Sequence, residues 1–501
     1  MKHYFINKIR KYTQGSSPFL SKLINSFLHN LSGKFIVMIA GLIGGYFYAR
    51  FLGPEDYGIW RTAIALGKYA AFLSLGIPFA MRRDFVQLRS EKRYEEAREI
   101  SDVVFSYSLI SKIVAFLAYI IAGIFFVEEE LLSWALIMIG ILQFAKLFYE
   151  YGRMINTGHN KYNIIAKAEL IRSIVQILTI PFVYYYGFNA LLIIFLLMHL
   201  VPSIYYYLTK PLPVKWNWDR PLLKKLLFIG LPMYLSSIIT VVFTTIDRLL
   251  IFELLSSENV GYYSLGALLI TPAVTMIKSS SPVLFTRLNE KHGFNQDPKI
   301  IRKHVIKPQL FFSKFLPPFF GIAIVALPIV TDLLLPEYKE GIPAAQIRVF
   351  AIYSQVIAGF AANALFILGK QKFTAILFAI AGVIKTIGSY WGIKLGYGIE
   401  SVALASVIGF LIYDNAMFYI VNKKMRMKFT MFLKTLFNKM APLIWVAGLS
   451  VIILYIINPY LSQATSYSKW TIVIIGELIM IISCLPLLYN SFRDMKKLLN
   501  S

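Results

Sequence analysis

Lys68, Lys112, Arg248 and Lys385 place cationic side chains inside stretches of apolar sequence long enough to cross a bilayer. A charge at the centre of a membrane helix costs about 2.5–3.5 kcal/mol on insertion scales, so each needs a partner or a water-filled cavity. Lys and Arg donors in such a cavity suit an anion, phosphate above all. Glu169, Asp247, Asp414 and Glu477 are the acids that accompany them. Glu169 and Arg172 lie three residues apart, a spacing that pairs them on one helix face. Asp247 and Arg248 are neighbours that point in different directions and need partners on other elements. The acids could carry a coupling proton or sodium ion, or only balance cations; spacing leaves both readings open. Lys34, Arg50, Arg61, Lys146, Lys278, Lys314, Arg348 and Lys394 stand near the ends of apolar runs. Their long stems can carry the charge to the membrane surface. The acids are too few to neutralise the whole set, which favours an aqueous lumen lined by cations.

The elements that must hold these residues are membrane helices. Of 501 residues, 57% are hydrophobic, and the mean hydropathy is +0.62. A hydrocarbon core of about 30 Å needs roughly 20 helical residues to cross it. Fourteen runs of that order occur, near 33–52, 58–80, 103–127, 131–150, 165–186, 188–208, 226–252, 259–283, 309–335, 344–368, 373–394, 399–421, 432–457 and 470–490. β-barrel strands would be about ten residues long with strict alternation, so the fold class is an all-α polytopic membrane protein of fourteen transmembrane helices. The net charge of +25 is not a nucleic-acid signature. When successive connections are assigned to alternate sides, most of the 51 Lys and Arg collect on one side. The positive-inside rule makes that side cytoplasmic and places both termini there.

Before the first run, Phe19, Leu20, Leu23, Ile24, Phe27, Leu28 and Leu31 share one helical face, predicting a short interfacial helix started by Ser17 and Pro18. No cleavable signal peptide is evident. Cys484 is the single cysteine, so there is neither a disulfide framework nor a Cys-based metal site. GxxxxGK, HExxH, CxxC and GxSxG are all absent, and no cofactor or enzymatic activity is expected.

The chain also repeats itself. Leu52-Gly53-Pro54-Glu55-Asp56-Tyr57-Gly58-Ile59-Trp60 returns as Leu255-Ser256-Ser257-Glu258-Asn259-Val260-Gly261-Tyr262-Tyr263, with Glu and Gly at matching places. Each copy is a short acidic turn between long apolar runs. Membrane chains built from two similar halves are the usual layout of secondary transporters. The repeat divides the chain into an N-terminal lobe, 1–210, with an interfacial helix and six spans, a C-terminal lobe, 211–428, with six more, and a final pair of spans in 429–501. Both halves begin and end on the basic side, which relates them by a pseudo-two-fold axis along the membrane normal. The linker Lys210-Pro211-Leu212-Pro213-Val214-Lys215-Trp216-Asn217-Trp218-Asp219 suits a cytoplasmic membrane surface.

Ala49 to Trp60 followed by Leu75-Gly76-Ile77-Pro78, together with Ile246-Asp247-Arg248-Leu249-Leu250-Ile251, Ser281 to Arg287 and Leu327-Pro328 to Tyr338, resembles the polysaccharide-biosynthesis flippases of the Wzx type. These belong to the multidrug/oligosaccharidyl-lipid/polysaccharide transporter superfamily. The resemblance implies a fold like that of the multidrug exporters, two six-helix lobes around a central cavity. It implies movement of a polyprenyl-diphosphate-linked oligosaccharide from the cytoplasmic to the outer leaflet of the cell membrane, for which alternating access through the cationic lumen is the expected mechanism. A polysaccharide polymerase and chain-length machinery are the partners it suggests, besides membrane lipids; nucleic acid is not one. Asp247 and Arg248 match the family's Asp-Arg in the seventh span. A cation-coupled multidrug exporter, a non-transporting scaffold and a glycan polymerase are the alternatives. The first two spans lack the buried acids of drug exporters, and no external loop is long enough for a polymerase.

Overall fold

A computed structural model describes residues 18–209, 214–268, 306–368, 370–425, 427–463 and 466–499. Every regular element among them is helical: α1 (Pro18–Gly67), α2 (Ile77–Ser90), α3 (Tyr94–Phe126), α4 (Glu130–Gly158), α5 (Tyr162–Thr209), α6 (Arg220–Leu254), α7 (Lys307–Leu334), α8 (Ile342–Ile367), α9 (Gln371–Lys394), α10 (Gly398–Lys424), α11 (Phe429–Gln463) and α12 (Ser466–Leu499). A further helical segment covers 257–268, and 3-10 turns cover Lys68–Ser74 and Pro336–Gly341. Helices satisfy every backbone group internally, which lipid demands of any spanning segment.

Among the described residues, eleven helical stretches are long and apolar enough to cross a membrane. Two of them are double. α1 is broken at Gly53 (φ 72°, ψ 175°), and α5 is broken at Gly187 (φ 56°, ψ −135°). Both conformations are open to glycine and strained for other residues. The breaks fall between the first and second expected spans and between the fifth and sixth. The stretches thereby account for every expected span except the eighth, which starts in 257–268 and continues outside the described residues. The helix from Pro18 runs into the first span without interruption before Gly53. The expected interfacial face on Phe19 to Leu31 lies in side chains outside the described set.

The described residues cluster into two compact units. Unit 1 comprises residues up to Phe51 and Gly67–Tyr234; unit 2 comprises Leu52–Leu66 and the chain from Leu235 onward. In unit 1, α3 packs on α4 and α4 on α5. The ring of Tyr206 fills the space beside Gly152, where a Cβ would meet it at 2.7 Å. At one end, Ile77, Met81, Phe85, Ile100, Val104, Tyr151 and Leu226 form a buried core against which Val214, Leu222 and Leu223 also pack.

In unit 2, α8 and α9 pack on α10, while α7 packs on α11 and α12. The two copies of the sequence repeat meet here at backbone distance. A Cβ on Gly58 would fall 1.8 Å from the Ser257 carbonyl oxygen, and one on Gly261 would fall 2.0 Å from that of Pro54. The Tyr338 hydroxyl donates to the Gly53 carbonyl at 2.9 Å. Its ring sets its edge against Tyr57 and Tyr262. Deeper in the unit, Lys439 of α11 contacts Asp414 of α10 at 2.9 Å with both side chains fully buried. The ammonium also lies 4.6 Å from the centre of the Phe418 ring.

Candidate functional site

Among the described residues, each unit gathers several charged side chains within its spans. In unit 2 the cluster grows from Asp247 and Arg248, which project from α6 about 100° apart. Asp247 turns to the neighbouring helices. Lys385 of α9 reaches its Oδ1 at 2.7 Å, and the Tyr263 hydroxyl donates to Oδ2 at 2.7 Å. Ser406 of α10 donates to the same oxygen at 3.4 Å. Lys385 also donates to the Phe243 carbonyl at 2.8 Å and lies 4.4 Å from that ring's centre. Both members of the ion pair are almost wholly buried. Lys385 is committed to Asp247 rather than presented to an open space.

Arg248 is different. It is 7% exposed, and one guanidinium N–H donates to the Thr244 carbonyl at 3.1 Å. Its Nε has no hydrogen-bond partner among the described residues. Arg61 and Arg348 lie close enough to repel its charge. Arg348 stacks 4.4 Å from the centre of the Tyr263 ring and donates to the Tyr263 carbonyl at 3.1 Å. Arg61 sits 5.7 Å from the centre of the Tyr57 ring. Among the described residues, no carboxylate forms an ion pair with Arg61, Arg248 or Arg348. Three guanidiniums around two tyrosine rings, with their nearest acid already neutralised by Lys385, form an anion-seeking group.

In unit 1 the charges lie on α3, α4 and α5. Lys112 donates to Gln143 Oε1 at 3.2 Å and stands 3.8 Å from Glu150. Glu169 accepts from the Tyr149 hydroxyl at 2.7 Å. It also contacts Arg153 at 3.5 Å and Arg172 at 3.8 Å, the second being the pair expected from its spacing. Arg172 lies 5.5 Å from the centre of the Tyr149 ring, and its Nε has no hydrogen-bond partner among the described residues. Lys146 is half-buried, with Glu150, Lys112 and Arg172 as its electrostatic neighbours. Cations outnumber acids in this cluster.

Three expected site residues remain, Lys68, Asp414 and Glu477. Lys68 opens the 3-10 turn after α1 and is exposed. Asp414 is paired with Lys439. Glu477 on α12 directs both carboxylate oxygens into the protein, and neither has a hydrogen-bond partner among the described residues. No group of acids, histidines or cysteines among the described residues could hold a metal ion.

Sequence reasoning treated Lys146, Arg61 and Arg348 as surface-reaching cations and did not single out Gln143, Glu150, Arg153 or Lys439. A signal was present: Gln143, Lys146, Glu150 and Arg153 follow a 3-4-3 spacing, which sets four polar groups on one face of an apolar helix.

The sequence profile of the family described as "Polysaccharide biosynthesis protein" matches residues 47–343. A Shigella flexneri protein named "Putative O-antigen transporter" is 25% identical over 375 residues, covering 71% of this chain and 87% of that protein. Among solved structures, the lipid II flippase MurJ in its inward closed conformation has a TM-score of 0.68 at 20% identity, covering 93% of this chain and 99% of its own. An inward-facing multidrug resistance transporter of the MATE family has a TM-score of 0.65 at 16% identity, covering 80% of this chain and 98% of its own. These likenesses establish a common helical fold.

Proposed function

The chain belongs to the polysaccharide biosynthesis protein family, and we propose on that premise that it is a flippase that moves a polyprenyl-diphosphate-linked oligosaccharide across the cell membrane. The reading is supported by the named function of the Shigella relative and by the fold shared with a lipid flippase. The observation that carries it is the buried guanidinium of Arg248, which lies beside Arg61 and Arg348 and forms no ion pair with a carboxylate among the described residues. A diphosphate supplies the charge this group lacks. Lys112, Lys146, Arg153 and Arg172 are the corresponding donors of unit 1. They would line a cationic lumen and hand the head group across by alternating access, while the prenyl chain stays in lipid. The basic loops support an orientation with both termini in the cytoplasm. A polysaccharide polymerase and chain-length machinery would act on the delivered unit.

Replacing Arg61, Arg248 and Arg348 together by Gln tests this. Each charge-assisted hydrogen bond lost contributes about 1.5–3 kcal/mol, so translocation of a labelled lipid-linked oligosaccharide in proteoliposomes should fall at least about a hundredfold. Transport at the wild-type rate by a folded triple variant would end the cationic-lumen reading.

Three of the four expected acids are committed to cations, which makes Glu477 the candidate for ion coupling. Glu477→Gln is expected to abolish acceleration of transport by an imposed proton gradient while leaving the ungraded rate. If acceleration survives, Glu477 is not the coupling group.

A further inference from the structure

The linker from Val214 onward is strapped onto unit 1. The Lys215 amide donates to Asp102 Oδ1 at 3.1 Å, and the Asn217 amide donates to the Ser106 hydroxyl at 3.0 Å. Asp219 then caps α6 by accepting from the Leu222 amide at 3.0 Å. Val214, Leu222 and Leu223 pack on the buried core of this end of unit 1. A linker held this firmly is a mount, and it carries two tryptophans outward. Trp216 and Trp218 are 63% and 41% exposed, with ring centres 6.4 Å apart and planes only 11° from parallel.

Their height follows from α3. The apolar part of that helix runs from Val103 to Phe126, about 36 Å at 1.5 Å per residue, close to the thickness of a hydrocarbon core. Asp102 and Ser106 mark the edge of that stretch, so the tryptophans they position stand where the hydrocarbon gives way to headgroups. Tryptophan concentrates at that level because its ring is apolar and its N–H is polar. Lys215, Arg220, Lys224 and Lys225 are exposed around the pair. Asp219 is engaged in capping, and Glu96, which faces Lys225, is held by Arg93 at 2.5 Å. A cationic surplus remains on the surface.

We propose that Lys215–Lys225 is a membrane-surface anchor, in which Trp216 and Trp218 seat in the interfacial layer and Lys215, Arg220, Lys224 and Lys225 hold the headgroups of anionic phospholipid. The anchor fixes the depth at which α6 enters the bilayer. It rests on charge and position, independently of what the protein transports.

The test uses the full chain in bilayers of phosphatidylglycerol or phosphatidylcholine. The difference in fluorescence between the wild type and Trp216→Leu/Trp218→Leu isolates the pair from the other tryptophans. Lipids brominated just below the headgroup should quench that difference, and lipids brominated at the acyl terminus should not. Phosphatidylglycerol should raise the thermal midpoint of the wild type relative to phosphatidylcholine, and Lys215→Gln/Arg220→Gln/Lys224→Gln/Lys225→Gln should lose most of that rise. Each cation at an anionic surface contributes on the order of a fivefold change in association, so the combined loss is large. Should the Gln variant fail to fold, Lys215→Arg/Lys224→Arg/Lys225→Arg must retain the full rise. Unquenched difference fluorescence, or an unchanged lipid response in the Gln variant, overturns the proposal. Quenching that appears only after a lipid-linked diphosphate is added also overturns it, because the surface would then belong to the substrate.

Discussion

Gly58→Ala is expected to lower the stability of the purified protein by about 3 kcal/mol, at the upper end of what overpacking does. The added methyl would occupy the position 1.8 Å from the Ser257 carbonyl oxygen. That neighbour is backbone, which cannot swing aside as a side chain would. Gly261→Ala should behave alike, since its methyl would meet the Pro54 carbonyl at 2.0 Å. Gly359→Ala is the control, with nothing within 4 Å of its added Cβ, and alanine inside a helix is favoured over glycine by up to about 1 kcal/mol. Unfolding in detergent should therefore separate Gly58→Ala and Gly261→Ala from Gly359→Ala by several degrees. Indistinguishable midpoints would mean that the crossing is looser than the structure has it.

The second large effect concerns Asp247 and Lys385. Asp247→Asn leaves the Lys385 ammonium buried without a counter-charge, and breaking such a pair on one side costs about 3–5 kcal/mol. Adding Lys385→Met should recover most of that loss, because methionine follows the lysine stem and carries no charge. The double variant separates two roles. If Lys385 only balances Asp247, the double variant folds and transports. If Lys385 also meets the diphosphate, it folds and does not transport. A double variant no more stable than Asp247→Asn would show that the ion pair does not hold α6 to α9.

The spans were legible in the sequence because lipid imposes a length and a composition on them. The breaks at Gly53 and Gly187 fall between the expected spans for the same reason: interrupting a long helical run there takes a backbone conformation that glycine adopts readily. Partners across the chain were not legible. Lys385 lies far from Asp247 in sequence, and nothing local distinguishes it from Lys112, which has a different neighbourhood. The same limit hid Lys439, whose partner Asp414 was recognised only as a buried acid. The glycines of the repeat were visible as an echo, but their reciprocal approach to each other's backbone depends on the tertiary crossing. The resemblance placed the family correctly, and the profile match over residues 47–343 supports it.

The fully buried Asp414–Lys439 pair bears on how the chain enters the bilayer during synthesis. α10 and α11 are consecutive, joined by the few residues between Lys424 and Phe429. Released singly into lipid, each would carry an unopposed charge at a penalty of about 2.5–3.5 kcal/mol. Released together, they neutralise each other before either meets hydrocarbon. That penalty favours insertion of α10 and α11 as a pair over their release one at a time.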